Sequence, residues 1–215
     1  MSWWLQSYLD AFGTAYVVSW LFWVIFSVVL HELSHGWAAI RCGDQTPLAT
    51  GHMTWNPLVH MGGMGLLALL LIGIAWGSMP VDPSRFRKVK DDAVVAFAGP
   101  GMNLLLAAIC LIAGGLWEAF GGGASYDRFA QFFFLGLKLN LVLFLFNLIP
   151  IPPLDGATVL ATFSSGFRRL IQHPNFQNFT LILFFLVFFK IGPALLSFAG
   201  SFANRSLDVL RRLLE

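Results

Sequence analysis

Charged residues are scarce in this chain, and their scarcity excludes most soluble folds. Asp, Glu, Lys and Arg make up 11% of the 215 residues, and hydrophobic residues make up 57%. A soluble domain carries about 25% charged residues. The formal net charge is only +2, which is too small to indicate a nucleic-acid partner. The composition therefore predicts an integral membrane protein in contact with the lipid bilayer.

Cysteine and N-terminal basic residues are also scarce. The two cysteines, Cys42 and Cys110, cannot form a disulfide framework. The N-terminus lacks the basic region of a signal peptide, so we expect the first apolar run to be retained as a membrane span. Because no internal repeat divides the chain, we expect one membrane-embedded domain over 1–215.

Long apolar runs dominate what is present. A helix needs about 20 apolar residues to cross a bilayer core of about 30 Å. Four runs reach or come close to this length. A fifth run, 61–79, is interrupted by glycines at both ends, which leaves a clean apolar part over 66–76 only. The sequence predicts an all-α polytopic membrane protein with four or five transmembrane helices and one re-entrant or short membrane segment. The four longer runs cover 14–40, 93–117, 131–149 and 177–199.

Three flanking segments have other compositions. The opening "SWWLQSYLDAF" predicts an interfacial segment anchored by Trp3 and Trp4. The stretch Leu48–Trp55 lies among turn formers and threonines, which predicts a small β element at the membrane edge. The tail "SFANRSLDVLRRLLE" has apolar residues at helical spacing, which is typical of a surface helix.

The motif "HELSH" lies near the end of the first long run. His31 and His35 are four residues apart, so in a helix their imidazoles share one face and can bind one metal ion. Glu32, beside them, is placed to act as general base on a water at the metal, as in the zincin pattern H-E-x-x-H. The alternative is a pair of packing histidines. Polar residues inside a span are costly, which favours the metal site.

A tetrahedral catalytic zinc needs a third protein ligand. Asp155 follows "NLIPIPP", whose prolines must interrupt a helix. Interrupted backbone at membrane depth is tolerated only where it is buried in protein or lines a cavity, so Asp155 is well placed to reach a metal. The candidates for the third ligand are His52, His60, Asp82, Asp155 and His173.

"HELSH" within a span, followed by "NLIPIPPLDG", resembles the site-2 protease family of intramembrane zinc metalloproteases, in its short form without PDZ or CBS domains. "GHMTWNPLVH", "MPVDPSRFR" and "AFAGPGMNLLLA" extend the resemblance. It implies one Zn²⁺ held by His31, His35 and Asp155, with Glu32 as catalytic base and Asn147 near the substrate carbonyl. The implied substrate is a transmembrane protein, cleaved within or near its membrane segment. The implied catalytic core covers about 14–160, followed by a C-terminal span and surface helix over about 176–215.

Several other residues have simpler interpretations. His52 and His60 are interpreted as polar loop residues, with a substrate or supporting role as the alternative. In "AGPGMN", Gly99 and Gly101 predict close packing of two helices, and Asn103 is a candidate lining residue of the cavity. Helical spacing places Lys138 on the opposite face of its run from Asn140 and Asn147, away from the site.

The depth of the proposed ligands predicts the topology. His31 and His35 lie past the middle of the first run, and Asp155 follows the end of the run 131–149. The two runs must therefore be parallel, so 61–79 dips into the membrane and returns. The side with more basic residues is cytoplasmic by the positive-inside rule, which orients the active site to the cytoplasm and the N-terminus outside. The basic residues assigned to that side are Arg41, Arg85, Arg87, Lys88, Lys90, Arg168 and Arg169.

Two other classes of function remain. One is a non-catalytic site-2-protease-like membrane subunit or substrate-holding factor, which would have no need for Glu32. The other is a metal transporter, which would require polar residues along several spans, whereas 93–117 and 177–199 contain almost none. The sequence therefore favours an intramembrane zinc endopeptidase.

Overall fold

The computed structural model describes residues 3–120 and 128–214, and within these residues it is helical without strands. Four helices are long and apolar enough to cross a membrane, which confirms the predicted polytopic all-α architecture. The helices are α1 (Trp4–Phe12), α2 (Thr14–Cys42), α3 (Thr46–Ala49), α4 (Pro57–Ile72), α5 (Asp91–Phe120), α6 (Arg128–Asn147), α7 (Asp155–Phe163), α8 (Ser165–Gln172) and α9 (Pro174–Leu214). The four candidate spans are α2, α5, α6 and α9.

The helices α2 and α6 run in the same direction, with α5 antiparallel between them. Along α5, Val95 contacts His35 of α2, and the later Asn103 contacts the earlier His31. Asn103 also contacts Asn140 of α6. Trp23, near the start of α2, donates its indole N–H to the carbonyl of Phe132, near the start of α6, at 2.8 Å. The predicted parallel arrangement is therefore confirmed.

The segment between α2 and α5 leaves and returns at the same end of α2. The Arg87 amide donates to the Cys42 carbonyl at 3.1 Å, which ties the end of this segment to the end of α2. Within the segment, α4 is only 16 residues long and is kinked at Gly62, where φ is 65°. After α4 the chain turns back, and the Ser78 amide donates to the His60 carbonyl at 2.9 Å. These contacts place both ends of the segment at one end of α2, as the predicted dip and return of 61–79 requires.

The predicted β element at Leu48–Trp55 is wrong. Asp44 accepts hydrogen bonds from the backbone N–H and hydroxyl of Thr46, and Pro47 occupies the first turn of α3. The Asp44 side chain closes a turn before α3, whose N-cap residue Gln45 makes no side-chain cap hydrogen bond. Proline in the first turn is compatible with a helix and cannot donate to a strand ladder. Thr50 N–H then donates to the Thr46 carbonyl at 3.0 Å, so this stretch closes on itself by helical hydrogen bonds.

Asp44 also fixes the return of the chain. Its second oxygen accepts from the Asp82 amide at 2.7 Å. Burial by itself would raise the pKa of this carboxyl, but the hydrogen bonds from Thr46 and Asp82 hold its pKa below the ordinary value. The ionised carboxylate therefore joins the beginning and the end of the segment between α2 and α5.

The N-terminal tryptophans, predicted as interfacial anchors, hydrogen-bond to α4. Trp3 and Trp4 donate their indole N–H groups to the carbonyls of Leu71 and Leu70, at 3.2 and 3.0 Å. Both acceptors belong to the last turn of α4, where helix carbonyls have no partner within the helix. In this structure α1 therefore caps the helix that dips and returns.

The C-terminal span and the predicted surface helix form one helix, α9, of 41 residues. At about 1.5 Å per residue it is about 62 Å long, about twice the thickness of a bilayer core. The helix continues through Pro193 and Gly200, and its residues Ala199, Ala203 and Leu207 are buried. Gly114 of α5 lies against Leu207, so packing on α5 continues the helix.

Candidate active site

Three elements bring together the side chains of the site. The helix α2 carries His31, Glu32 and His35 on adjacent turns, and α7 begins with Asp155. A helix N-terminus favours a carboxylate because its N–H groups and dipole are positive there. Gly156 makes this approach possible, since a Cβ at that position would meet the backbone carbonyl groups of Leu148 and Ile149, directly after α6.

The side chains of His31, His35 and Asp155 converge on one point. His31 Nε2 lies 3.0 Å from His35 Nε2 and 3.1 Å from Asp155 Oδ2. His35 Nε2 lies 3.5 Å from Asp155 Oδ1. Ligand atoms placed tetrahedrally at about 2.0–2.1 Å from zinc are about 3.3–3.4 Å apart. The three distances therefore fit a zinc ion bound between these groups.

The chemistry of the three groups also fits a cation. His35 Nδ1 lies 2.7 Å from the carbonyl oxygen of Val95, which can only accept, so Nδ1 carries the proton and a neutral ring has a lone pair on Nε2. His31 Nδ1 lies 2.7 Å from Asn103 Oδ1. Buried Asp155 Oδ2 has no hydrogen-bond partner among the described residues. Lone pairs and a carboxylate that face one another are mutually repulsive unless a cation lies between them.

Gly99 of α5 forms one wall of this site. A Cβ at this position would collide with the Nε2 atoms of both His31 and His35. The prediction that Gly99 allows close packing is therefore confirmed, and the atoms that it allows to approach are the Nε2 nitrogens of the two histidines. Gly101 is different, because a Cβ there would meet only the ring of Phe97 within its own helix, at 3.5 Å.

Glu32 is buried beside the three groups. Only 7% of its surface is exposed. The extended segment that returns from α4 passes directly over it, since a Cβ at Gly77 would lie 2.6 Å from Glu32 Oε1. The role of Gly77 was not predicted, because the only sign of it in the sequence is a small residue within "AWGSMP". This segment confines the carboxylate to the side of α2 on which the histidines lie.

Asn147 is the last residue of α6. Its amide donates to the Leu143 carbonyl of its own helix at 3.0 Å. One N–H and the amide oxygen remain for another partner.

Lys138 lies against Gly200 of α9, which agrees with its predicted orientation away from the site.

The other candidate ligands do not join the cluster. His60 is buried and donates Nε2–H to the Thr54 carbonyl at 2.7 Å. His52 Nδ1 lies 2.9 Å from the Thr50 hydroxyl. Asp82 accepts from Ser84 and Arg85, and His173 accepts from the Asn175 amide. Among the described residues, His31, His35 and Asp155 form the group able to hold a metal.

Two asparagines complete the surroundings of His31. Asn103 and Asn140 are both fully buried, and Asn103 links His31 to Asn140. This agrees with the prediction of Asn103 as a lining residue and of Asn140 on the face of its run nearer the site, but the link between them and His31 was not predicted.

The chain is similar to known proteins over most of its length. The family model described as Peptidase family M50 matches residues 19–190. The Bacillus subtilis (strain 168) protein named "Putative zinc metalloprotease YwhC" is 39% identical over 170 residues, which cover 76% of this chain and 78% of that protein. The Mycolicibacterium smegmatis protein named "Putative zinc metalloprotease Rip2" is 34% identical over 139 residues, which cover 61% of this chain and 52% of that protein. No solved structure matches the chain.

Proposed function

Because this chain belongs to peptidase family M50, the site-2 protease family, we propose that it is an intramembrane zinc endopeptidase. Its substrate would be a membrane protein, hydrolysed at a peptide bond within or near a transmembrane segment. The observation that carries the proposal is the convergence of His31, His35 and Asp155 beside buried Glu32. Three of these four residues, His31, Glu32 and His35, lie on α2, a helix apolar enough to span the membrane.

His31, His35 and Asp155 would hold one Zn²⁺ per chain through the two Nε2 atoms and the carboxylate. Bound there, Zn²⁺ would polarise the scissile carbonyl and make a water molecule acidic enough to attack near neutral pH. The backbone carbonyl of Val95 holds the His35 ring in the orientation that this requires. Such hydrogen bonds to the outer nitrogen also make the ring a stronger ligand.

Glu32 would act as the general base. Its carboxylate takes a proton from the attacking water and passes it to the nitrogen of the leaving amine. Burial under Gly77 excludes bulk water from this carboxylate. Asn147 would donate its remaining amide N–H to the oxygen of the scissile carbonyl, whose negative charge grows during the attack.

The proposed orientation places the site towards the cytoplasm, in the plasma membrane. Arg87 is tied to the end of α2 through the Cys42 carbonyl. Arg168 of α8 lies 3.9 Å from Asp92 at the start of α5, so basic residues from two segments gather at one end of the bundle. The positive-inside rule makes this end cytoplasmic.

The test is cleavage of a model substrate by the full-length protein in lipid nanodiscs, with zinc measured in the same samples. Glu32→Gln is expected to keep one zinc per chain and to lose cleavage by about 10²–10⁴-fold, the usual contribution of a general base. Glu118→Gln is the matched control, since this glutamate lies in the last turns of α5 and faces Arg211. It should cleave at the wild-type rate. Asp155→Ala should lose both zinc and cleavage.

Two results would contradict the proposal. Substantial cleavage by zinc-loaded Glu32→Gln would remove Glu32 from the role of base. A wild-type protein that binds zinc but cleaves no membrane substrate would favour the non-catalytic subunit instead.

A further inference from the structure

A chain of buried hydrogen bonds connects His31 to the backbone of α6. His31 Nδ1 lies 2.7 Å from Asn103 Oδ1, and Asn103 Nδ2 donates to Asn140 Oδ1 at 3.0 Å. Asn140 Nδ2 in turn donates to the Gly136 carbonyl at 2.9 Å. Both asparagines have no exposed surface, so bulk water does not reach these groups.

The direction of this chain is fixed from its far end. A backbone carbonyl can only accept, so the Gly136 carbonyl requires the NH₂ group of Asn140 to face it. The oxygen of Asn140 must then face Asn103, which must present its own NH₂ group there. The oxygen of Asn103 is left to face His31. His31 therefore carries its proton on Nδ1, and the lone pair of the neutral ring lies on Nε2.

The two histidines reach the same tautomer by different means. For His35, the Val95 carbonyl, an obligatory acceptor, contacts the ring directly. For His31 the contact is an amide side chain, which could present either its oxygen or its NH₂ group. If Asn103 were turned over, its NH₂ group would face Nδ1, and the proton would move to Nε2. That nitrogen lies 3.1 Å from Asp155 Oδ2, and once protonated it could not bind a metal.

We propose that Asn103 and Asn140 are positioning residues that hold His31 in the tautomer able to bind zinc, and so set the zinc affinity of the site. Asn103 acts by contact with the ring, and Asn140 acts only by keeping Asn103 in its orientation. This inference rests on the proposed zinc site. Losing such a supporting contact typically lowers metal affinity by about 10–100-fold.

The test measures zinc affinity by competition with a chelator in purified full-length protein. Asn140→Leu is expected to lower the affinity about 10–100-fold, although Asn140 touches no ligand. Asn103→Asp presents an acceptor oxygen to His31 Nδ1 whichever way it is turned, while its second oxygen faces Asn140 Oδ1 with no proton between the two. In the Asn103→Asp background, adding Asn140→Leu should therefore not lower the zinc affinity. Leu137→Ala, a truncation of a neighbouring buried residue on α6, is the control and should lower the melting temperature only.

A second measurement reads the tautomer directly. In zinc-free protein labelled with ¹⁵N-histidine, the His31 nitrogen shifts should report a proton on Nδ1 in wild type and a change in Asn140→Leu. The signal is assigned by its loss in His31→Gln. A merely structural role of Asn140 would leave these shifts as in wild type. If Asn140→Leu does not fold, Asn140→Ala carries the same comparison without added bulk.

Three results would overturn the inference. Folded Asn140→Leu could bind zinc as tightly as wild type. It could also lose the same affinity with and without Asn103→Asp, which would indicate a general loss of packing. Finally, a wild-type protein without measurable zinc binding would refute the proposed zinc site itself, and this outcome is distinguishable because it is seen before any variant is compared.

Discussion

Gly99→Ala is expected to disable the metal site while leaving the bundle folded. A Cβ at this position would lie 2.5 Å from His31 Nε2 and equally close to His35 Nε2, whereas real Cβ contacts shorter than 3.0 Å are essentially absent. One or both imidazoles must therefore shift by about half an ångström or more. A metal site requires its ligand atoms within about 0.2 Å of their ideal distances. A shift of this size in the ligand nitrogens would therefore weaken zinc binding.

The size of the effect of Gly99→Ala on stability and on zinc affinity follows from two opposing free energies. Overpacking a filled interior costs about 1–3 kcal/mol, and replacing glycine by alanine within a helix returns about 1 kcal/mol. The net change in folding stability is then about 0–2 kcal/mol. If the overpacking destabilises mainly the positions of His31 and His35 that bind zinc, the zinc affinity falls by about 5- to 150-fold, at about 1.4 kcal/mol for each factor of ten.

Two control substitutions on the same helix separate the causes. Gly101→Ala adds a Cβ 3.5 Å from the Phe97 ring, an ordinary contact, and should keep wild-type zinc affinity. Gly115→Ala overpacks α5 against Leu210 of α9, and should change stability without changing zinc binding. The assay is zinc affinity by chelator competition, with the melting temperature of each sample. Wild-type zinc affinity in Gly99→Ala, or an equal loss in Gly115→Ala, would refute the reasoning.

Two further predictions concern the segment between α2 and α5. Gly77→Ala should lower cleavage by about tenfold or more with zinc retained, because its Cβ would lie 2.6 Å from Glu32 Oε1 and overpacking costs about 1–3 kcal/mol. Gly63→Ala is the control, since its Cβ would meet nothing within 4 Å, and it should cleave at the wild-type rate. Equal rates in the two variants would contradict the placement of Gly77 over Glu32. Single cysteines at Ala49 and Val89, in a background lacking the native cysteines, should react with an impermeant thiol reagent from the same side of the membrane. Labelling from opposite sides would mean that α4 crosses fully.

The parts of the fold that could be predicted from sequence depend on local patterns. Apolar runs of membrane length predicted the ends of α2, α5 and α6 to within three residues, because a span needs about 20 apolar residues wherever it packs. The spacing of His31 and His35 is a property of one helix. The return of the segment before α5 also follows from sequence, because the histidines and Asp155 must lie at one depth.

The parts that could not be predicted depend on contacts between distant segments. Composition favoured a strand at Leu48–Trp55, but the decisive feature is a turn in which the Asp44 carboxylate accepts from the Thr46 amide and also from the distant Asp82 amide. Trp3 and Trp4 have the composition of interfacial anchors, yet their N–H groups are used by carbonyls of α4. A residue's type does not identify its partner when the partner lies far along the chain.

The buried asparagines show which features of the site itself can be predicted from sequence and which cannot. Asn103 and Asn140 each occur in apolar helices, and the cost of a polar group in lipid predicts that both face protein. The sequence could therefore have located them near His31. It could not have given the direction of the hydrogen bonds, because an amide can face either way and its orientation is decided by the Gly136 carbonyl on another helix. That direction determines which nitrogen of His31 is free to bind zinc, so the chemistry of the motif on α2 depends on a backbone group of α6.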